Sequence, residues 1–264
     1  MNQSQRLENL KLYRAVVGPL TIWLRREGEE LFVATERDAD ESLRHRDEPL
    51  AMADSEPPTD SAALAWDRYI LASNSQEIGL RYLLPDRPLV ARPESVLVLP
   101  PGRHATFYFG IPLRIAVVEA ALPPVTLTEL PTIVLSNIWF GDPMQGELCY
   151  SLMTRAKRDV DLAERRPYRA ICTLEIRNES DEPIKVQRLR VSGPNLDLFE
   201  GEGQVWTNRV VARFRSQEQG SEVEVVTSAP TSGLRKIVPA REPVVGSVVS
   251  RVLGMFRREE SIDA

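Results

Sequence analysis

Two cysteines, two histidines and 38 acidic residues are the side chains from which this 264-residue sequence could build a reaction. A thiol nucleophile needs a base beside it, and His104 is the candidate base for Cys149 or Cys172. The flanking runs ELCYSL and AICTLEI are apolar and strand-like, however, and apolar surroundings keep a thiol protonated and inert. The structural reading is preferred: both cysteines reduced and half-buried, with no CxxC pair or disulfide framework to argue otherwise. As metal ligands the histidines fare no better. His45 lies in an acidic stretch and His104 beside a turn, with no HxH, HExxH or paired CxxC spacing. No metal and no cofactor is expected.

Paired carboxylates of the glycosidase kind depend on spatial rather than sequence proximity, so 38 acids leave that chemistry open. Asp142 is the pick, because Trp139, Phe140 and Gly141 precede it and an aromatic platform beside an acid suits a sugar. The competing reading is a turn in which Asp142, ahead of Pro143, binds its own downstream backbone. That turn is favoured, with Trp139, Phe140 and Asp142 kept as the rim of a small-ligand or carbohydrate site.

Arg155, Lys157 and Arg158 begin a basic run, and Arg213 and Arg215 alternate on one face of a strand. Together they make a candidate basic patch for an acidic partner or a phosphate headgroup. A solvated outer sheet face explains the same pattern and is preferred. The net charge of −5 lacks the strongly basic footprint of a nucleic-acid binder, and no nucleic-acid partner is expected.

The tail PVVGSVVSRVLGMFRREE behaves differently. Laid out at about 100° per residue, Val245, Val249, Val252, Leu253 and Phe256 fall on one arc, with serines, glycines and arginines opposite. An amphipathic helix within 240–264 follows, with these five residues as a partner-binding face. Valine and glycine are poor helix formers, so the helix needs a surface to form against. A protein partner or self-association is the preferred functional choice, with peripheral membrane contact as a further one.

The elements that must position these groups are short strands. Leu20, Ile22 and Leu24 alternate with polar partners and the pattern resumes at Leu31 after Gly28, which is a hairpin signal. Pro101-Gly102 suits a type II turn between VLVL and ATFYFG, predicting a second hairpin. TIVLSNIWF and GELCYSLMT read as strands joined by GDPMQG. RAICTLEIRN and IKVQRLRV read as a meander around the polar turn NESDEP. The proline-rich ALPPVTLTELP marks a boundary or crossover, and the acidic, proline-broken segment 36–60 reads as a mobile loop. A hydrophobic content of 42% argues for a packed core. The start of the chain lacks the features of a secretory signal, and no run approaches the roughly 18 apolar residues of a spanning helix.

The stretch RYLLPDRPLVARPESVLVLPPGRHATFYFGIPLRIAVVE, and the run from IWFGDPMQGELCYSLMTRAKR into the strand pair at Asn178, give the chain a family resemblance. It resembles the domain of unknown function 432 family, best known from archaea, over roughly residues 13–239. That resemblance implies no activity and brings no catalytic residues.

An all-β protein is expected: two sandwich-like antiparallel halves, 1–122 and 123–239, followed by the helical tail at 240–264. Its expected function is non-catalytic, a cytoplasmic interaction or scaffold module binding a protein through sheet surfaces and the tail helix. A small-ligand or carbohydrate-binding sandwich is the alternative, and a hydrolase with carboxylates the sequence does not place is the third.

Overall fold

The computed structural model describes residues 3–37, 50–56, 64–72, 77–144, 146–163, 165–216, 220–243, 247–250 and 256–257. Among these the chain is almost wholly β. In order come β1 (Gln3–Arg6), β2 (Leu12–Val17), β3 (Leu20–Glu27), β4 (Glu30–Arg37), β5 (Met52–Asp54), β6 (Trp66–Ile70), β7 (Glu77–Leu83) and β8 (Pro88–Pro93). Next are β9 (Leu97–Leu99), β10 (His104–Pro112), β11 (Arg114–Glu119), β12 (Val125–Pro131), β13 (Ser136–Phe140), β14 (Glu147–Ala156), β15 (Arg169–Asn178) and β16 (Ile184–Val186). The last are β17 (Leu189–Ser192), β18 (Leu198–Gly201), β19 (Gln204–Ser216), β20 (Gly220–Val225), β21 (Arg235–Val238), β22 (Ser247–Ser250) and β23 (Phe256–Arg257). Two compact units divide the chain, and both are discontinuous in sequence: residues 1–83, 112–134 and 166–168 form one, and the remainder forms the other.

In the first unit, β5-β2-β3-β4-β6 form one sheet and β1-β7-β11-β12 another. The period-2 pattern that predicts the β3–β4 hairpin also decides which face is buried. Tyr13, Ala15, Val17, Leu20, Ile22, Leu24, Leu31 and Val33 are all buried on one face. Gly18 sits at φ +56 against Tyr168, and a Cβ there would come within 2.1 Å of the ring, so only glycine fits. The proline-rich stretch supplies the turn between β11 and β12. Met52–Asp54, inside the segment read as a mobile loop, is instead a strand paired with β2. Its apolar flank explains this, since Leu50 is buried and Met52 nearly so; residues 38–49 and 57–60 lie outside the described residues.

In the second unit the long sheet runs β10-β15-β19-β18-β21, with β20 pairing β19 and β22 pairing β20. Two smaller sheets are ordered β13-β14-β8-β17 and β23-β16-β9. β18 and β19 meet through Glu202 and Gly203, both at positive φ (50° and 73°), the geometry of a tight two-residue hairpin. Among the described strands, pairing departs from a purely antiparallel expectation where β14 runs parallel to β8 and β15 parallel to β19. β15 is buried along nearly its whole length, as a strand covered on both faces must be.

Two predicted hairpins are turns without strand pairing. Gly102 is at φ +68 and the Arg103 N–H donates to the Pro100 carbonyl at 3.2 Å, so the expected turn forms. Yet β9 pairs with β16, and β10 lies beside β15. Asn178 pins this arrangement: its Nδ2 donates to the carbonyls of Leu99 and Glu182, both at 2.8 Å, while its own carbonyl accepts from Gly102. In the same way β15 and β16 belong to different sheets on either side of NESDEP.

The expected tail helix is not found where the tail is described. Ser247–Ser250 is a strand antiparallel to β20, and Phe256–Arg257 pairs with β16. β-Branched valines, stiff at χ1, favour a pleated neighbour over a helical turn, and the open edge of β20 supplies one.

Candidate functional site

The β13–β14 hairpin carries the predicted ligand rim, and the structure divides it. The Asp142 carboxylate accepts the Met144 N–H at 2.8 Å, closing the expected turn. Trp139 Nε1 donates to the Asp142 carbonyl at 3.0 Å, and the Gly146 N–H donates to that carbonyl at 2.7 Å. A Cβ on Gly146 would lie 2.4 Å from Trp139 Nε1, so the glycine makes room for the indole. Phe140 faces the other way, fully buried with Val90, Cys149 and Ile138. Trp139 remains 48% exposed beside its cross-strand partner Leu148, itself 43% exposed. Asn137 and Tyr150, the next pair on that face, are tied to Arg87 and Asp86: Arg87 donates to Asn137 at 3.4 Å and the Tyr150 hydroxyl donates to Asp86 at 3.1 Å. Among the described residues β13 has β14 on one side and no hydrogen-bonded strand on the other.

Neither thiol is poised for attack. Burial, helped by the Glu147 charge, pushes Cys149 up to about 11, and burial pushes Cys172 up to about 12. Both are protonated at neutral pH. His104 is exposed at the start of β10, and His45 lies outside the described residues. Among the described residues no group of His, Cys, Asp and Glu is arranged to hold a metal ion.

The basic patch separates into two kinds of arginine. Arg213 pairs with Glu224 at 2.7 Å and Glu179 at 3.6 Å, and its hydrogen bond to Glu224 raises its pKa. Arg215 pairs with Glu222 at 2.9 Å and Glu179 at 3.3 Å. Arg177 and Arg209 share Glu175, at 2.6 and 3.7 Å. Four arginines thus meet four glutamates, and the patch expected at Arg213 and Arg215 carries no excess charge. Lys157 is paired with Glu94, and Arg158 donates to the Thr106 carbonyl while lying 5.0 Å from the Phe107 ring centre.

Arg155 is different. It is exposed and stands in register with Arg92 of the neighbouring parallel strand β8. β17 pairs with β8 so that Leu189 faces Ala91 and Arg190 faces Val90; Arg188 immediately precedes β17, one residue beyond that register on the side of Arg92. Among the described residues, none of these three arginines has a carboxylate within ion-pair distance. Their neighbour Arg190 is held by Glu147 through a double contact of 2.5 and 2.8 Å. Arg92 was invisible to sequence spacing, and spacing grouped Arg188 with Arg190, Arg209, Arg213 and Arg215; only strand register sets Arg92 beside Arg155.

Sequence reading also missed an arginine–aromatic face in the first unit, where Arg14 lies 5.6 Å from the Trp23 ring and Arg25 lies 5.1 and 5.4 Å from those of Phe32 and Trp66. Cross-strand register could have found it, as Arg14 faces Trp23 and Arg25 faces Phe32. Of the five tail residues, Val249 and Phe256 lie on strands facing Glu222 and Val186. Val245, Val252 and Leu253 are outside the described residues.

In the second unit Asp197 gathers the segment after β21. It accepts from Lys236 at 2.7 Å, the Ala240 N–H at 2.9 Å and Asn208 at 3.3 Å. Burial opposes its charge, but these hydrogen bonds outweigh it and hold the carboxyl below its ordinary range.

Compared with known proteins, residues 3–256 match the family described as "Protein of unknown function (DUF432)". No curated protein and no solved structure matches the chain. Among the described residues no helix is long and apolar enough to cross a membrane.

Proposed function

The chain belongs to the DUF432 family, and since that family's description carries no activity, we propose from geometry that it is a non-catalytic interaction module that binds a protein partner through exposed sheet surface. One observation carries the reading: Trp139 and Leu148 form an exposed cross-strand pair on β13–β14, beside an edge strand with no second neighbour among the described residues. Free strand edges recruit extended segments by backbone hydrogen bonding, and tryptophan is one of the residue types enriched among interface anchors. The hydrogen bond to Asp142 holds the indole in place before any partner arrives, which lowers the entropy cost of contact. Strand pairing of the tail with β20 fits the same habit of edge addition. The reading places the module in the cytoplasm, consistent with two unpaired buried cysteines, and extends to contact at a membrane surface.

The test is affinity purification from the native host with wild type and the double variant Trp139→Ala/Leu148→Ala. The expected result is a co-purifying protein reduced at least roughly tenfold by the variant, which should still unfold cooperatively in urea. Identical captured proteins in both would sink the proposal.

The alternative of a carbohydrate site draws on the open indole with Asn137 and Tyr150 on the same face. It loses Asp142, whose carboxylate is committed to the turn. A glycan screen that raises the melting temperature of wild type but not of Trp139→Ala would favour it.

A further inference from the structure

We infer that Arg155, Arg92 and Arg188 form an oxyanion site that takes a phosphate group. Arg92 lies two residues after Val90, which packs with Phe140, and Arg155 is in register with Arg92 beyond a register shift in β14; this puts the pair on the sheet face opposite Trp139, so the site stands or falls independently of the partner-binding reading. Adjacent strands lie about 4.8 Å apart, so the backbone sets Arg155 and Arg92 at roughly that step, with Arg188 beside them at the entry to β17. Like charges directly opposite one another in a sheet are destabilising. Elsewhere the sequence relieves such contacts: Arg177 stands in register with Arg213, and each has its own glutamate. Acidic residues outnumber Lys and Arg by 38 to 33, yet among the described residues none is within ion-pair distance of this row. The charged pairs that border it, Lys157 with Glu94 and Arg190 with Glu147, are satisfied and lend it no carboxylate.

Anion chemistry narrows the ligand. A carboxylate carries one charge and two oxygens, enough for one guanidinium fork. A phosphate monoester carries a charge of about −1.5 to −2 and three terminal oxygens, and it accepts parallel N–H bonds from more than one arginine. A diphosphate extends the same recognition along the row. Phosphate can reach the site on a small soluble molecule or on a lipid headgroup, and the recognition is the same for both.

The experiment uses the full chain with two probes at matched ionic strength: inorganic pyrophosphate, followed by thermal unfolding, and phosphatidylcholine vesicles with or without phosphatidic acid, followed by sedimentation. Wild type, Arg92→Gln, Arg155→Gln and, as a paired-arginine control, Arg213→Gln are compared. The site is supported if either probe acts on wild type and Arg213→Gln and its effect is lost in Arg92→Gln and Arg155→Gln. For pyrophosphate the expected rise is roughly 2–4 °C. A response to pyrophosphate assigns a soluble ligand, and a response to vesicles alone assigns a headgroup. No response in either arm, or equal responses in all four proteins, overturns the inference.

Discussion

Two arrays of arginine lie on sheets of the second unit and obey opposite rules. On β15 and β19, Arg177, Arg209, Arg213 and Arg215 are matched by Glu175, Glu179, Glu222 and Glu224. Across β14 and β8, Arg155 and Arg92 stand in register, with Arg188 just before β17, and none has such a partner among the described residues. The first array stabilises its sheet modestly and presents a neutral face. The second costs its sheet some repulsion and presents charge. Counting arginines in sequence cannot separate the two; what separates them is which carboxylate each register delivers.

The row exists only while β8, β14 and β17 keep register, so the largest effect should come from the buried cluster that holds that sheet. Phe140→Ala empties a fully buried site shared with Val90 and Cys149, and about 3–5 kcal/mol should be lost in urea unfolding. The neighbouring Trp139→Ala, at an exposed position, should cost no more than about 1 kcal/mol. Equal costs would mean that Phe140 does not anchor this sheet.

A smaller change converts one array into the other. Glu147→Gln removes the double contact to Arg190, which should cost about 1–3 kcal/mol and lengthen the unpaired row by one arginine. Low-salt stability should fall more than high-salt stability. If the loss is independent of salt, it is a packing effect and the charge comparison is weakened.

Lys236 provides a pH-dependent check on a paired cation. The folded-state pKa of Asp197 is depressed, so its contribution is present above the unfolded value near 3.9 and is lost as pH falls through the folded value. Asp197→Asn should therefore lower stability at pH 7 by about 1 kcal/mol or less and flatten this part of the acid limb. An unchanged acid limb would show that the contacts from Lys236 and Ala240 do not favour the ionised form.

What the sequence made legible was local. Alternation at Leu20, Ile22 and Leu24 gave both the strand and its buried face, and Asp142-Pro143 and Pro101-Gly102 gave their turns, because a turn depends on a few adjacent residues. Pairing between distant strands was not legible. β9 joins β16 rather than β10, held by Asn178 from far along the chain, and no spacing rule contains that contact. The tail misled for a related reason: its valines satisfy a helical arc on paper, while their branched side chains suit the strand at β20. At the candidate site, the exposure of Trp139 and burial of Phe140 follow from alternation, but which of the two faces solvent depends on what covers each face. The partner-less row needed the register of β14 on β8, and the approach of β17 to β8, before it could be seen.

The central claim is that the unpaired row, and not the ladder, holds surplus charge for a ligand. Thermal unfolding of Arg92→Gln and Arg213→Gln, side by side at low ionic strength with no added phosphate, tests it most directly. Arg92→Gln should raise the melting temperature and Arg213→Gln should lower it, each by roughly 1–3 °C, and both differences should shrink in 1 M salt, where screening acts within about 3 Å. A fall in melting temperature for Arg92→Gln matching that of Arg213→Gln would show that the folded protein already uses Arg92 to stabilise itself, and would contradict the account.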